Sequence, residues 1–190
     1  MFENYKLEGE LLKIHTYPDK VLTQKATEVE VFDDELKTLV KNMLFTMYKS
    51  PGIGLAAPQI GLSKRIFVVD VDYEREESKE GSKEYIYSNF NPMVFINPKF
   101  IKKEGDTTYQ EGCLSLPGVF EDVHRFESVT VEFQDLNGDT LQLDADELLS
   151  ICLQHENDHL DGVVFLDRIS NLKKQFYTKK LLKQKKLQKA

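Results

Sequence analysis

Residues 148–160 read Leu-Leu-Ser-Ile-Cys-Leu-Gln-His-Glu-Asn-Asp-His-Leu, and this stretch constrains the fold more than any other. Its apolar residues, Leu148, Leu149, Ile151, Cys152 and Leu160, make a helix, which Asp144 or Asp146 can start and Gly162 can stop. A helix so apolar belongs in the middle of a fold. It therefore carries His155, Glu156 and His159 into an interior where polar groups need partners. His155 and His159 stand one turn apart, so both imidazoles leave the same face and can share a metal ion. Glu156, next to the first of them, is placed to handle a proton beside such an ion. The plainer alternative is a solvated helix that happens to hold two histidines and a glutamate. It fits poorly with these apolar flanks.

The remaining patterns supply what such a helix needs around it. A second amphipathic helix starts at Asp33 or Asp34, with Leu36, Leu39, Val40, Met43, Leu44 and Met47 on one stripe, and Ser50-Pro51-Gly52 ends it. Residues 65–71 and 93–96 are β-rich, and the polar residues 73–91 between them read as a long surface loop. Val129, Val131 and Phe133 alternate with polar residues, Asn137-Gly138 offers a hairpin turn, and Leu141 and Leu143 return on the next strand. A last helix spans about residues 170–188. Strand pairs followed by helices predict an α+β fold, with antiparallel or mixed sheets packed around the central helix and a helix at the C-terminus. No internal repeat or linker divides the 190 residues. One unit is expected, with residues 1–170 as its catalytic part and residues 171–190 as a basic helix of the same domain.

Charge narrows the functional classes. The net charge is −7, yet residues 171–190 hold eight lysines and no acid, which leaves −15 on the remainder. A basic nucleic-acid-binding core is excluded, and a basic tail is evident. No apolar run is long enough for a membrane span, for which ~18 residues are needed. Residues 1–10 mix Glu3, Lys6, Glu8 and Glu10 with single apolar residues, unlike an export signal, so a cytoplasmic protein is expected. The two cysteines, Cys113 and Cys152, are too few for a disulfide framework.

A catalytic metal usually has three protein ligands and one open position. Beyond His159 only Asp161 and Asp167 are available, and Asp161 is too close along the helix to turn back easily. Upstream candidates are Cys113, Glu111, His124 and His15. Cys113 is the sharpest, because a thiolate binds iron or zinc strongly. Its alternative is a small buried apolar residue. His15 and His124 have no motif around them and read as non-catalytic.

Cys113 lies in Glu111-Gly112-Cys113-Leu114-Ser115-Leu116-Pro117. Upstream stands Gly52-Ile53-Gly54-Leu55-Ala56-Ala57-Pro58-Gln59, and downstream His155-Glu156-Asn157-Asp158-His159. In this order the three segments resemble the peptide deformylase family, and the similarity runs from about Leu12 through Ile169. The resemblance implies one divalent metal ion on Cys113, His155 and His159, with Fe²⁺ as the working ion and Zn²⁺ or Ni²⁺ common after purification. It implies Glu156 as acid–base, and Gln59 with the backbone N–H of Leu114 as donors to the oxygen that gains charge. It further implies that Gly52, Ile53, Gly54 and Gly112 meet the peptide backbone. The substrate would be the N-terminal formyl-methionine of nascent chains.

Several readings lie outside those motifs. Leu148 and Ile151 share the His155 side of the helix and are expected to wall a methionine pocket; Cys152 serves equally as pocket or core. Glu111 and Arg125 could pair to support the Cys113 strand, whereas Asp158 is either a support or a solvated helix residue. Two departures from the family pattern stand out: the stretch between Gln59 and Glu111 is long, and Phe120 stands where some bacterial members carry an arginine. In the tail, Leu172, Phe176, Tyr177, Leu181 and Leu182 form a modest apolar face beside a strongly basic one. Such a helix either packs on the domain or docks on the ribosome near its exit tunnel; no sequence-specific nucleic-acid binding and no membrane is expected. The competing readings are another metallohydrolase with a two-histidine helix, and a ribosome-associated metal-binding relative without activity.

Overall fold

In a computed structural model of the chain, residues 5–79 and 81–187 are described; Glu3, Lys189 and the expected end of the last helix at Gln188 lie outside them. Helix α1 spans Asp34–Lys49, and Asp33 caps it by accepting the N–H of Leu36 at 2.9 Å. Such a cap stabilises a helix by ~1 kcal/mol. Its stripe, Leu36, Val40, Met43, Leu44 and Met47, is buried.

The central sheet holds β1 (Gly54–Ala56), β2 (Ile66–Val69), β5 (Met93–Glu104), β8 (Ser128–Gln134) and β9 (Thr140–Asp146), in the order β1-β2-β5-β8-β9. All its pairings are antiparallel. Helix α1 covers one face, where Leu55, Ile66, Val68, Val94 and Ile96 point. Helix α2 (Glu147–Leu160) covers the other, against Ala56, Phe67, Val69, Phe95, Val129 and Val131. With both faces covered, β2 is buried at every position, which explains its unbroken apolar run. Strand β9 passes into α2 with no intervening residue, and Glu147 absorbs the change of direction at φ 47°.

Two further hairpins flank the sheet. Residues 73–91 are not the surface loop that their polarity suggests: β3 (Glu74–Glu77) pairs with β4 (Tyr85–Ser88). The segment is exposed, but the Arg75 guanidinium stacks 3.5 Å from the Tyr85 ring centroid and Gly81 takes φ 76° near its turn. The other hairpin joins β6 (Thr107–Gly112) to β7 (Phe120–Arg125).

Helix α3 (Asn171–Leu187) lies on the body through Tyr177 and Leu181, which join a cluster with Leu22, Leu116, Val123 and Phe165. Four of its lysines are tethered: Lys173 to Glu121, Lys174 to Asp167, Lys180 to the Gly118 carbonyl and Lys185 to Asp19. Among the described residues no helix is long and apolar enough to cross a membrane.

Candidate metal centre

The buried face of α2 supplies two imidazoles, and the turn after β6 brings Cys113 to meet them. The ligand atoms of Cys113, His155 and His159 all lie within 4.8 Å of one another. Cys113 Sγ is 3.3 Å from His159 Nε2. His155 donates from Nδ1 to Glu111 at 2.7 Å, which leaves Nε2 as the nitrogen that can meet an ion. Burial opposes charge on both imidazoles. At His155 the bonds to Cys113 and Glu111 outweigh it and raise the pKa, so an ion binding there would displace a proton. At His159 burial prevails, helped by the charges of His155 and Arg125, and holds the ring neutral as a ligand must be. His159 Nδ1 and Glu156 Oε2 are buried without a hydrogen-bond partner. The donors thus fit a single divalent cation: soft sulfur and two nitrogens, converging, with a carboxylate alongside.

Behind these donors runs a chain of buried charges. Arg125 donates to Glu111 from Nε at 2.6 Å and from a terminal nitrogen at 2.9 Å, and to Asp158 at 2.7 Å. Arg168 closes the chain with two bonds to Asp158. The pairing expected of Glu111 and Arg125 is present, and Asp158 is an anchor rather than a solvated residue. Burial alone would raise the Glu111 pKa, yet Arg125 and His155 pull it down to about 2. Glu111 is therefore a permanent acceptor that orients His155.

Glu156 sits in the opposite electrostatic condition. Burial pushes its carboxyl up to about 7, against the lowering influence of His155. Gln59 is held by the Ala56 N–H, which donates to Oε1 at 2.8 Å. That bond turns its amide nitrogen toward Ser115 Oγ at 3.3 Å and Cys113 Sγ at 3.6 Å.

These groups open into a cavity of about 480 Å³. Its walls include Gly52, Ile53, Gly54, Gly112, Leu114, Leu148, Ile151 and Cys152, together with Gln59, Cys113, His155 and Glu156. Every site residue expected from the sequence therefore reaches this cavity except His159, which is buried behind it. Phe120 also lines the mouth, its ring against Gly112, where a Cβ would meet it at 2.6 Å. His15 pairs with Asp19 and His124 with Thr108, outside the donor cluster. The downstream aspartates are engaged elsewhere, Asp161 with Arg65 and Asp167 with Lys174. Sequence reasoning missed Ser115 and Arg168. Ser115 stood inside a quoted motif, while no pattern around Arg168 marks it.

Residues 11–175 match the polypeptide deformylase family. A peptide deformylase of Chromobacterium violaceum is 46% identical over 176 residues, covering 93% of this chain and 97% of that protein. One from Stenotrophomonas maltophilia is 45% identical over 179 residues, with the same coverage. Among solved structures, a peptide deformylase from Legionella pneumophila superposes with a TM-score of 0.79 at 41% identity, over 94% of this chain and 98% of that one. A peptide deformylase from Synechococcus elongatus in complex with actinonin gives 0.75 at 43% identity, over 92% and 87%.

Proposed function

The chain belongs to the peptide deformylase family, and from that premise we infer that it hydrolyses the formamide of N-terminal formyl-methionine and releases formate. The observation that carries this reading is the convergence of Cys113, His155 and His159 beside Glu156, with Cys113, His155 and Glu156 lining one cavity and His159 buried behind it. A divalent ion held there supplies Lewis acidity, polarising the formyl oxygen and making water a nucleophile near neutral pH.

The chain's own groups do the rest. Glu156 takes the proton of the attacking water and delivers it to the leaving nitrogen; a carboxyl poised near neutral pH suits both tasks. Gln59 Nε2 and the backbone N–H of Leu114 donate to the former formyl oxygen as charge grows on it. One such donor is worth ~3–4 kcal/mol of transition-state stabilisation. Leu148 and Ile151, with Cys152, wall the methionine side chain, and Gly52, Ile53, Gly54 and Gly112 pair with the peptide backbone as an added strand.

The working ion is Fe²⁺, with Zn²⁺ or Ni²⁺ able to replace it, since thiolate and imidazole accept all three. Residues 1–170 form the catalytic unit and residues 171–190 its basic appendage, which docks on the ribosome where formylated chains emerge. The protein works in the cytoplasm. Two rival readings lose support: a peptidase with a downstream third ligand finds Asp161 and Asp167 engaged elsewhere, and an inactive relative would lack Glu156, Gln59 or Cys113.

Metal analysis of protein purified without oxygen, combined with a formate-release assay, tests the reading. One divalent ion per chain and cleavage of formyl-Met peptides in preference to acetyl-Met peptides are expected. Efficient deacetylation, or no formate, overturns it.

A further inference from the structure

The excursion at residues 72–91 is fastened at both ends by one fully buried carboxylate. Asp70 Oδ1 accepts the N–H groups of Asp72 at 3.0 Å and Tyr73 at 3.1 Å. Its Oδ2 accepts the N–H of Asn91 at 2.8 Å and the hydroxyl of Tyr48, on α1, at 2.6 Å. The Tyr73 ring packs edge-on against Tyr48 with centroids 4.8 Å apart. The root of the hairpin is therefore rigid and tied to the core.

This root reaches the segment before β1. The Tyr73 hydroxyl donates to the Gly52 carbonyl at 3.2 Å, and the Asp70 N–H donates to the Ile53 carbonyl at 2.9 Å. Gly52, Ile53 and Gly54 all line the cavity. Glycines at two of these three positions leave little side chain to hold the segment. Its peptide planes must be oriented by hydrogen bonds instead. In a planar trans peptide the C=O and the next N–H point in opposite directions. Pinning the Gly52 carbonyl therefore aims the Ile53 N–H away from Tyr73, and pinning the Ile53 carbonyl aims the Gly54 N–H away from the Asp70 backbone.

We propose that Tyr73 is a positioning residue for the peptide chain of the substrate: its hydroxyl sets the peptide plane whose N–H at Ile53 faces that chain. The long excursion is then a brace for substrate binding, with Asp70 as its hinge pin. The proposal rests on the reading that the substrate backbone pairs with residues 52–54.

The test uses metal-loaded Tyr73→Phe, which removes the hydroxyl and keeps the ring. KM for a formyl-Met tripeptide should rise about threefold to tenfold, the worth of one hydrogen bond, with kcat nearly unchanged. Formyl-methionine amide, which has no downstream chain, should show no comparable rise. Hydrogen exchange at the Ile53 amide should quicken in the variant, a readout independent of turnover. An unchanged KM, an equal rise on both substrates, or unaltered exchange overturns the proposal. Absence of formate release by the unmodified protein would instead refute the functional reading, and the exchange measurement would still judge the role of the hydroxyl.

Discussion

A Cβ on Gly54 would stand 2.8 Å from both Cδ and Cγ of Glu156, closer than nonbonded carbons approach. Glycine at this position thus serves the carboxylate as well as the peptide. Gly54→Ala should displace Glu156 and reduce formate release at least tenfold while bound metal stays near one per chain, because no ligand changes. Normal turnover in that variant would show that the carboxyl has room to move.

Removing the carboxyl itself isolates its chemical role. Glu156→Ala should retain the metal and lose ~10²–10⁴-fold in kcat, the usual span for a general acid–base. Cys113→Ala should lose both. Assays of formate and of metal on the same preparations separate the two effects.

Glu111 acts through His155, so its loss should appear in affinity before chemistry. Glu111→Gln keeps an acceptor for His155 but breaks the charge pair with Arg125. Competition with a chelator should show metal binding weakened ~10–100-fold. Unchanged affinity would reduce Glu111 to a packing residue.

The tyrosine cluster around Asp70 predicts the alkaline limit of stability. Burial, with the nearby Asp70 charge, raises the Tyr5 pKa to about 12, and burial with the Asp70 hydrogen bond raises Tyr48 further. An unfolded tyrosine ionises near ~10. Folded pKa values above that value mean a contribution fully present below pH ~10 and lost as pH climbs through the folded values. The denaturation midpoint should fall above pH ~10, and phenolate absorbance should show Tyr48 ionising only with unfolding. A full phenolate signal from native protein would contradict this.

Docking of α3 on the ribosome is tested by charge reversal rather than by truncation. Deleting residues 179–190 would also remove Leu181 and Lys185, which hold α3 to the body. Lys179, Lys183 and Lys186 have no such tethers and share the outer side with exposed Leu172 and Phe176. Reversing the charge of these three lysines should weaken co-sedimentation with ribosomes, and added salt should weaken it for the unmodified protein too. Hydrolysis of short formyl peptides should be unaffected. Ribosome binding that survives the triple reversal would exclude α3 from docking.

The sequence showed its core helix clearly because α2 carries polar groups in an apolar frame, and burial then compels partners. The strands of the central sheet were legible where one or both faces are covered, as in 66–69 and 129–133. The β6–β7 hairpin was not, because its inward positions include Glu111 and Arg125, whose burial depends on each other. The β3–β4 hairpin escaped for a related reason: Asp70 and the Arg75–Tyr85 stack hold it, with little help from apolar alternation. Arg168 reached Asp158 across ten residues with no local pattern to announce it. Where geometry alone brings charges together, periodicity is silent.

The ion pairs around Arg125 also determine how charge is shared inside the site. Arg125 and Arg168 bring two positive charges to Glu111 and Asp158, which bring two negative ones, so this chain of ion pairs is electroneutral by itself. A divalent cation among Cys113, His155 and His159 would meet one thiolate, and one more carboxylate, Glu156, would stand beside it. With neutral water in the site, the interior would balance when Glu156 is ionised. A proton that Glu156 takes from the attacking water leaves hydroxide behind, so the pocket gains and loses no net charge; negative charge only moves from the carboxylate to the oxygen that attacks. A buried residue that is alternately counter-ion and proton carrier therefore lets charge move over a short distance while the total inside the pocket stays constant through a single bond cleavage.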